Sequence, residues 1–304
     1  DSAETPQHDI RRMMAHDFPS VPCATVVTSI TKADRMENIF KTFLPEYVFH
    51  AAAYKHVPMM EDNPCESIQN NVLGTKILAD LSVKYGVRRF VADKCIEYDV
   101  EKMVMISTDK AVNPTNVMGC SKRICEVYVQ SLNKAERDGV VKGQTQFITT
   151  RFGNVLGSNG SVIPIFERQI KAGGPVTVTD PDIIRYFMLI PEACELVLEA
   201  GTKGEGGEIF VFDMGKPVRI ADLARRMIKL SGAKGVEIKY TGLRDGEKLY
   251  EEALSESEAT KPSFHEKIRI ACVREYDWSD VSREIDALIA QSHTYDDMAV
   301  VASM

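Results

Sequence analysis

The residues best suited to chemistry sit together in the middle of the chain. Thr108, Asp109 and Lys110 follow directly on the apolar, β-branched run 102–107, so a strand there delivers a hydroxyl, a carboxyl and an amine at its carboxyl end. An adjacent carboxyl and amine can act as general acid and general base when both are withdrawn from water, or can form a solvated surface pair; the two residues alone leave both readings open. Further on, Met118 and Lys122 stand one helical turn apart, and of the two only the lysine carries a charge. Upstream, Ala51, Ala52 and Ala53 close another apolar run, where three small side chains let a flat ring lie against the backbone. His50 and His56 flank them; neither has a partner at metal-ligand spacing, so no metal site is expected. His50 reads as a packed core histidine, and His56 as a residue of a loop facing the site, where contact with a ligand and a purely structural place are equally open. Arg185, Arg219, and Arg244 with Glu247 come later. An arginine fork suits a diphosphate, and an isolated arginine equally suits a surface ion pair.

Holding these groups together calls for strands whose carboxyl ends lie level. Runs 24–28, 46–52, 102–107 and 146–152 read as buried strands, with helices at 33–43, 66–85 and 121–133 between them. Such alternation implies an α/β, Rossmann-type doubly wound parallel sheet that binds ligands at its carboxyl edge. Beyond about Gly160 the pattern loosens into strands at 175–179, 208–213 and 236–241 and helices at 191–201 and 220–231. The expected division is 1–160 for a dinucleotide-binding domain, 161–280 for a smaller C-terminal substrate lobe interleaved with it, and 281–304 for a C-terminal tail. Residues 79–91 nearly repeat as 92–104, which reads as a helix-plus-strand duplication of which one copy can enter the central sheet.

Composition narrows the class. Among 304 residues, 37 Lys and Arg against 44 Asp and Glu give a net charge of −7, so no basic surplus points to nucleic acid or to an anionic membrane. No apolar run approaches the roughly 18 residues of a membrane helix. The seven cysteines are odd in number and lack a Cys-x-x-Cys pair, which speaks against a disulfide framework or a cysteine zinc site and suits a reducing cytoplasm. A dinucleotide-binding sheet normally opens with a strand, Gly-x-Gly-x-x-Gly and a helix, because the glycines admit the pyrophosphate to the helix N-terminus. Here Gly153, Gly157 and Gly160 have the wrong spacing, and Gly204, Gly206 and Gly207 come too late.

Five segments in order carry more information than any one alone: HAAAYKHVP at 50–58, NNVLGT at 70–75, STDKA at 107–111, MGCSK at 118–122 and TRFGNVLG at 150–157. Together they resemble the extended short-chain dehydrogenase/reductase family, and within it the CapD-like polysaccharide-biosynthesis nucleotide-sugar 4,6-dehydratases that act on UDP-N-acetylglucosamine. The likeness runs from Asp1 to about Val273. It implies that the first strand and glycine loop lie upstream of Asp1. In many members it also implies membrane helices further upstream, with this domain on the cytoplasmic side.

The resemblance implies NAD as cofactor, contacted by Asp1, Ser29, Ile30, Ala51, Ala52, Ala53, Asn71, Lys122 and Phe152; Ser29 stands where the family usually places an adenine-reading aspartate. It implies that Thr108 hydrogen-bonds the C4 oxygen, with Asp109 as acid and Lys110 as base. Met118 replaces the tyrosine of the usual Tyr-x-x-x-Lys pair, and Lys122 holds the nicotinamide ribose. A UDP-sugar substrate would meet Lys55, His56, Asn154, Ser161, Val162, Arg185, Arg219, Arg244 and Glu247. A homo-oligomer paired through helices 66–85 and 121–133 is a further implication. The expected activity is NAD-dependent 4,6-dehydration of UDP-N-acetylglucosamine to a UDP-4-keto-6-deoxy sugar for bacterial surface polysaccharide or glycan synthesis. Two rivals stand beside it. A nucleotide-sugar epimerase is opposed by the missing tyrosine and by Thr-Asp-Lys; an inactive sugar-nucleotide-binding subunit is favoured by the absent glycine loop and the duplication.

Overall fold

Strands Tyr47–His50 (β1), Lys102–Thr108 (β2), Gln146–Phe152 (β3), Ile209–Phe212 (β4), Ala259–Pro262 (β5) and Ile268–Cys272 (β6) form the central sheet in the order β1-β2-β3-β4-β6-β5. The structure is a computed structural model and describes residues 1–86, 89–91, 94–96, 101–158, 160–252 and 259–304, with 89–91 and 94–96 described by their backbone alone. β1 through β4 run parallel, and β6 and β5 continue antiparallel. This is the α/β, parallel-dominated sheet that the alternating pattern predicts.

Period-two alternation decides which side chain meets which helix layer. Met103, Met105 and Phe147 point to one face, where they pack with Leu78, Leu81, Tyr128, Leu132, Ile285 and Leu288. Those partners come from helices Gly74–Tyr85 (α3), Val117–Arg137 (α4) and Trp278–Ser292 (α8). Val104, Ile148, Phe210 and Phe212 point to the other face and meet Leu196 and Ala200 of Ile190–Lys203 (α6). Residues 103–106 of β2 and all of β4 are apolar because both faces are covered there. Burying each such Leu, Ile or Phe contributes about 1.5–3 kcal/mol.

The register places the site. Ser107 lies opposite Arg151 and Thr108 opposite Phe152, so the carboxyl ends of β2 and β3 finish level, and residues 109–111 and 153–154 leave the sheet side by side. A smaller cluster of Phe166, Ile170, Val176, Val178, Ile183, Ile220 and Ala224 joins helices Val162–Lys171 (α5) and Ile220–Ser231 (α7) to strands 176–178 and 238–240.

Several expectations are revised. Residues 24–28, predicted as a strand, form no ladder among the described residues. Thr28 N–H donates instead to the Asp1 carbonyl at 2.9 Å, and the Val26 carbonyl accepts from Gln7 Nε2 at 2.8 Å. A strand exists only by pairing, and these apolar residues meet the helix Glu4–Asp17 (α1), which the sequence reading did not foresee. Ala33–Phe43 (α2) matches its prediction. The expected single helix 66–85 is continuous in path but not in pitch: Pro64–Ser67 is α-helical, Ile68–Leu73 winds as a π-helix, and α3 follows. Of the near-repeat, the second copy's strand enters the central sheet as β2, while 89–91 and 94–96 pair antiparallel in a separate ribbon. The remainder of the near-repeat, at 87–88, 92–93 and 97–100, lies outside the described residues. α8 and the helix Asp297–Ser303 bring Val281, Ile285, Leu288 and Val300 into the main core. No helix among the described residues is long and apolar enough to cross a membrane.

Candidate active site

A cleft of about 360 Å³ opens where β1, β2 and β3 end. Thr108, Lys110, Met118, Lys122, Phe152, Asn154, Ser161, Lys55, His56, Ala51 and Ala53 all line it. Residues spread over more than a hundred positions meet there because the parallel strands all discharge at one edge.

The floor is the turn after β2. Thr108 caps a short 3₁₀ helix, Asp109–Ala111: its Oγ1 accepts from Lys110 N–H at 3.3 Å and donates to Asp109 Oδ1 at 2.9 Å. Lys110 Nζ reaches the same oxygen at 2.9 Å and lies 3.5 Å from Asn154 Oδ1. Asp109 Oδ2 is buried without a protein partner, and Gly153 opposite it leaves room that a Cβ, 2.8 Å from that oxygen, would fill. The pair is therefore a buried carboxyl bonded to a less buried amine, with one carboxyl oxygen uncommitted.

α4 closes one side. Asn116 Oδ1 accepts from Gly119 N–H at 2.7 Å and starts the helix, and Gly119 lets its first turn sit directly on the carbonyl of Lys110. Met118 is buried with Met60 and Val117 and brings no hydroxyl to the cleft. Lys122, one turn on, forms no ion pair with the described residues, and burial pushes its pKa below the usual lysine range despite the opposing charge of Glu126 and the nearby Cys125. Beneath these groups lies a network that sequence reasoning did not find. Glu126, fully buried, accepts from Arg151 at 2.8 and 2.6 Å, from Arg123 at 3.0 Å and from Ser107 Oγ at 2.7 Å. Burial alone would raise its pKa; Arg151, Arg123 and Ser107 outweigh burial and hold it below the usual carboxylate range. The spacing of Arg123 and Glu126, three residues apart on one helix, is its one local signal in the sequence.

His50 packs in the core, with Nε2 2.8 Å from Thr75 Oγ1. Burial, and then the Lys122 charge, pulls its pKa down to about 3. Asn71, expected at the cofactor, is buried off the cleft wall. Its side chain grips both Tyr54 N–H (2.7 Å) and Tyr54 C=O (3.1 Å) and donates to Ser121 Oγ (3.0 Å). The π-helical pitch of 68–73 carries this asparagine, so it shapes the end of the alanine segment and anchors it to α4. Ala52 is not on the wall of the cleft, nor are Asp1, Ser29 and Ile30: Ser29 Oγ bonds Thr31, and Ile30 packs against Gly74.

On the substrate side the expected residues divide. Ser161 presents a buried hydroxyl without a protein partner, and Val162 begins α5 beside it. Arg185 is buried and fully engaged. Its guanidinium donates to the carbonyls of Ile184 (2.7 Å), Leu249 (3.2 Å) and Lys248 (2.8 Å), and reaches Glu247 at 3.4 Å and Glu251 at 3.7 Å. Glu247 also accepts from Thr179 Oγ1 at 3.2 Å and from Arg244 N–H at 3.2 Å. Arg219 is exposed and paired with Asp182 at 3.2 Å. Arg244 is exposed, and Arg185, Arg219, Arg244 and Glu247 all stand off the wall of the cleft.

A doubly wound sheet with a strand-end Thr-Asp-Lys turn, a buried Met/Lys helix face and a lobe over its carboxyl edge defines an extended short-chain dehydrogenase/reductase. The chain belongs to the polysaccharide biosynthesis protein family, which it matches over residues 1–273. It is 50% identical over 266 residues to the capsular polysaccharide biosynthesis protein CapD of Staphylococcus aureus, covering 87% of this chain and 41% of that protein. It is 46% identical over 264 residues to the probable polysaccharide biosynthesis protein EpsC of Bacillus subtilis, covering 86% and 41%. The chain thus spans about four tenths of the length of these relatives. Among solved structures, Pen from Bacillus thuringiensis superposes with a TM-score of 0.76 at 29% identity, covering 90% of this chain and 80% of that one. DesIV of Streptomyces venezuelae, a dTDP-glucose 4,6-dehydratase with NAD bound, superposes with a TM-score of 0.63 at 19% identity, covering 84% and 86%, a likeness of fold.

Proposed function

We propose that this domain carries out NAD-dependent 4,6-dehydration of UDP-N-acetylglucosamine, yielding a UDP-4-keto-6-deoxy sugar for surface polysaccharide synthesis. The observation that supports this reading is the Asp109–Lys110 pair at the end of β2, with Lys110 on the wall of a cleft whose usual tyrosine position holds Met118 and Asp109 buried directly behind it. Simple alcohol oxidation needs one base; removing water from adjacent carbons needs a base and an acid together, and the turn supplies both.

The cleft fits the nicotinamide half of the cofactor. Ala51 and Ala53 leave a flat wall, Phe152 offers a ring, and the unpaired ammonium of Lys122 points to a polar ligand, which the ribose hydroxyls of NAD would satisfy. NAD held there would supply the hydride chemistry, taking hydride from C4 and returning it to C6. The chain's own residues do the rest. Thr108 Oγ1 hydrogen-bonds the C4 oxygen. Thr108, bonded to Asp109 Oδ1 at 2.9 Å, passes the C4 hydroxyl proton to the Asp109 carboxylate; the C4 ketone acidifies the C5 proton, which the Lys110 amine removes and later returns to C5 as C6 is reduced, and Asp109, now the free acid, protonates the departing C6 hydroxyl. Asn154, 3.5 Å from Lys110 Nζ, keeps the amine over the cleft, and Gly153, without a Cβ, leaves the buried Asp109 Oδ2 uncrowded. Lys55, His56 and Ser161 are the polar wall on the substrate side.

Incubating the chain with NAD and UDP-N-acetylglucosamine and following the sugar nucleotide by mass spectrometry tests the reading. Loss of one water supports it. A C4 epimer of unchanged mass, or cofactor and sugar binding without turnover, replaces it with one of the rivals. In the active protein, Asp109→Asn and Lys110→Ala should each cost at least ~10²-fold in kcat with an unchanged unfolding midpoint. Turnover like the parent in both variants would remove the assigned roles.

A further inference from the structure

The buried carboxylate of Glu126 has no part in the chemistry above, yet it is bonded to a residue of the cleft wall. Ser107, which precedes Thr108 in β2, lines the cleft, and its Oγ lies 2.7 Å from Glu126 Oε1. The direction of that bond follows from the other partners of the carboxylate. Arg151 donates to Oε1 at 2.8 Å and to Oε2 at 2.6 Å, and Arg123 donates to Oε2 at 3.0 Å. A fully buried carboxyl met by two guanidinium groups is ionised, and an ionised carboxyl only accepts. Ser107 therefore supplies the proton of the bond, and its oxygen keeps two lone pairs for other donors. Among the described residues no side chain donates to it.

The strands and the helix fix where this oxygen stands. Ser107 lies opposite Arg151 in the register of β2 and β3, so the carboxylate is seated where the two strands end. Period two turns Ser107 away from Thr108 and towards α4. Glu126 follows Lys122 by four residues on that helix, and such neighbours have Cβ atoms roughly 5–6 Å apart. The Ser107 oxygen and the Lys122 ammonium thus meet the cleft from one side, an acceptor and a donor on the same wall.

We propose that Glu126 is a positioning residue for the cofactor: by holding the Ser107 proton it turns the Ser107 oxygen into an acceptor for a hydroxyl of the nicotinamide ribose. This rests on the reading of the cleft as the nicotinamide site. A ribose hydroxyl that accepts from the Lys122 ammonium still has its own proton to place, and the two groups together meet both needs. A serine whose proton is free to turn would serve a donor and an acceptor equally. The carboxylate removes that choice and makes the wall selective for a donor. Glu126 itself is 0% exposed and touches no ligand, so it acts only through Ser107.

NADH binding to the intact protein, followed by the fluorescence of the ligand, tests this without turnover. Ser107→Ala removes the acceptor and should weaken NADH about 3- to 10-fold, the contribution of one hydrogen bond. Glu126→Gln turns an amide N–H₂ towards Ser107 and the hydroxyl proton into the cleft, and should weaken NADH by a similar factor. In the Ser107→Ala background the same Glu126→Gln change should leave the affinity where it is, because the group it acts through is gone. A merely structural role weakens binding equally in both backgrounds, and that result overturns the proposal. So does a Ser107→Ala variant with parental affinity. Unfolding midpoints are measured beside the affinities. Should Glu126→Gln fail to fold, Glu126→Asp, which keeps the charge for the arginines and draws it back from Ser107, carries the same comparison. If the parent binds neither NADH nor NAD, the cofactor reading itself has failed, and Glu126 has no cofactor to position.

Discussion

Adding one methyl group at Gly119 tests whether the start of α4 and the catalytic turn have to touch. In the native structure the first turn of α4 rests on the Lys110 carbonyl, and a Cβ at Gly119 would fall more than 1 Å inside the ordinary contact distance of 3.4 Å to that oxygen. The atom it meets is backbone, at the turn that carries Asp109 and Lys110, so no side chain can swing away; either the helix or the turn must give by about an ångström. Misplacement of catalytic groups by ~1 Å is worth about 10²-fold in rate. The stability cost is smaller. Overpacking costs roughly 1–3 kcal/mol, and the better helix propensity of alanine returns up to about 1 kcal/mol. A chain of this size should therefore lose only ~2–8 °C in unfolding midpoint. Gly119→Ala should fold, keep its UDP-sugar affinity and lose about two orders of magnitude in kcat. Steady-state rates of water loss from UDP-N-acetylglucosamine, with differential scanning calorimetry beside them, make the measurement. A variant with parental kcat and parental midpoint would show that the two elements tolerate separation, and would refute the claim that their contact sets the geometry.

Three further predictions concern buried ionisable groups. Arg151→Met leaves the Glu126 carboxylate fully buried with Arg123 and Ser107 but without its two strongest bonds, and should cost about 3–5 kcal/mol. Adding Glu126→Gln to that variant should recover part of the loss, and a double variant no better than the single in urea unfolding would contradict the ion-pair account. Glu126 is depressed below its ordinary 4.5, so its contribution is complete above that value and is lost as pH falls beneath it, which Glu126→Gln should abolish. His50 is depressed from 6.5 to about 3, so the neutral ring stabilises the fold above pH 6.5 and that stabilisation is withdrawn as pH falls towards 3. Urea unfolding at pH 7.5 and 5.0 should show a smaller loss in His50→Gln than in the parent; equal losses would show that the histidine is solvated.

Much of the framework was legible in the residue order. The strands β1, β2 and β3 and the helices α2, α4, α6 and α7 lie where apolar periodicity places them, because an element buried by one layer on each face must repeat its hydrophobic pattern at the period of its own backbone. The position of Thr108, Asp109 and Lys110 at a strand end was equally plain, since a chain leaving a parallel sheet exposes its next few residues at the ligand edge. Residues 24–28 show the limit of that reasoning. Their composition suits a strand, yet pairing requires a neighbour at the right distance, and among the described residues they meet Gln7 and Asp1 instead.

What the sequence determined alone is the local inventory: which segments bury one face, which turn carries an acid beside an amine, and that position 118 offers no hydroxyl. What the tertiary structure decided is which of the isolated polar residues meet. Arg185, a candidate diphosphate ligand by type, is spent on the segment 247–251; Asn71 is spent on Tyr54; Glu126 and Arg151, 25 positions apart, neutralise each other under the site. Lys248 reaches across 136 positions to the Val112 carbonyl at 3.1 Å. Periodicity reports only how a residue relates to its own helix or strand. The partner of a buried charge is chosen by the packing of distant segments, because a charge removed from water must be met by whatever the completed fold brings within reach.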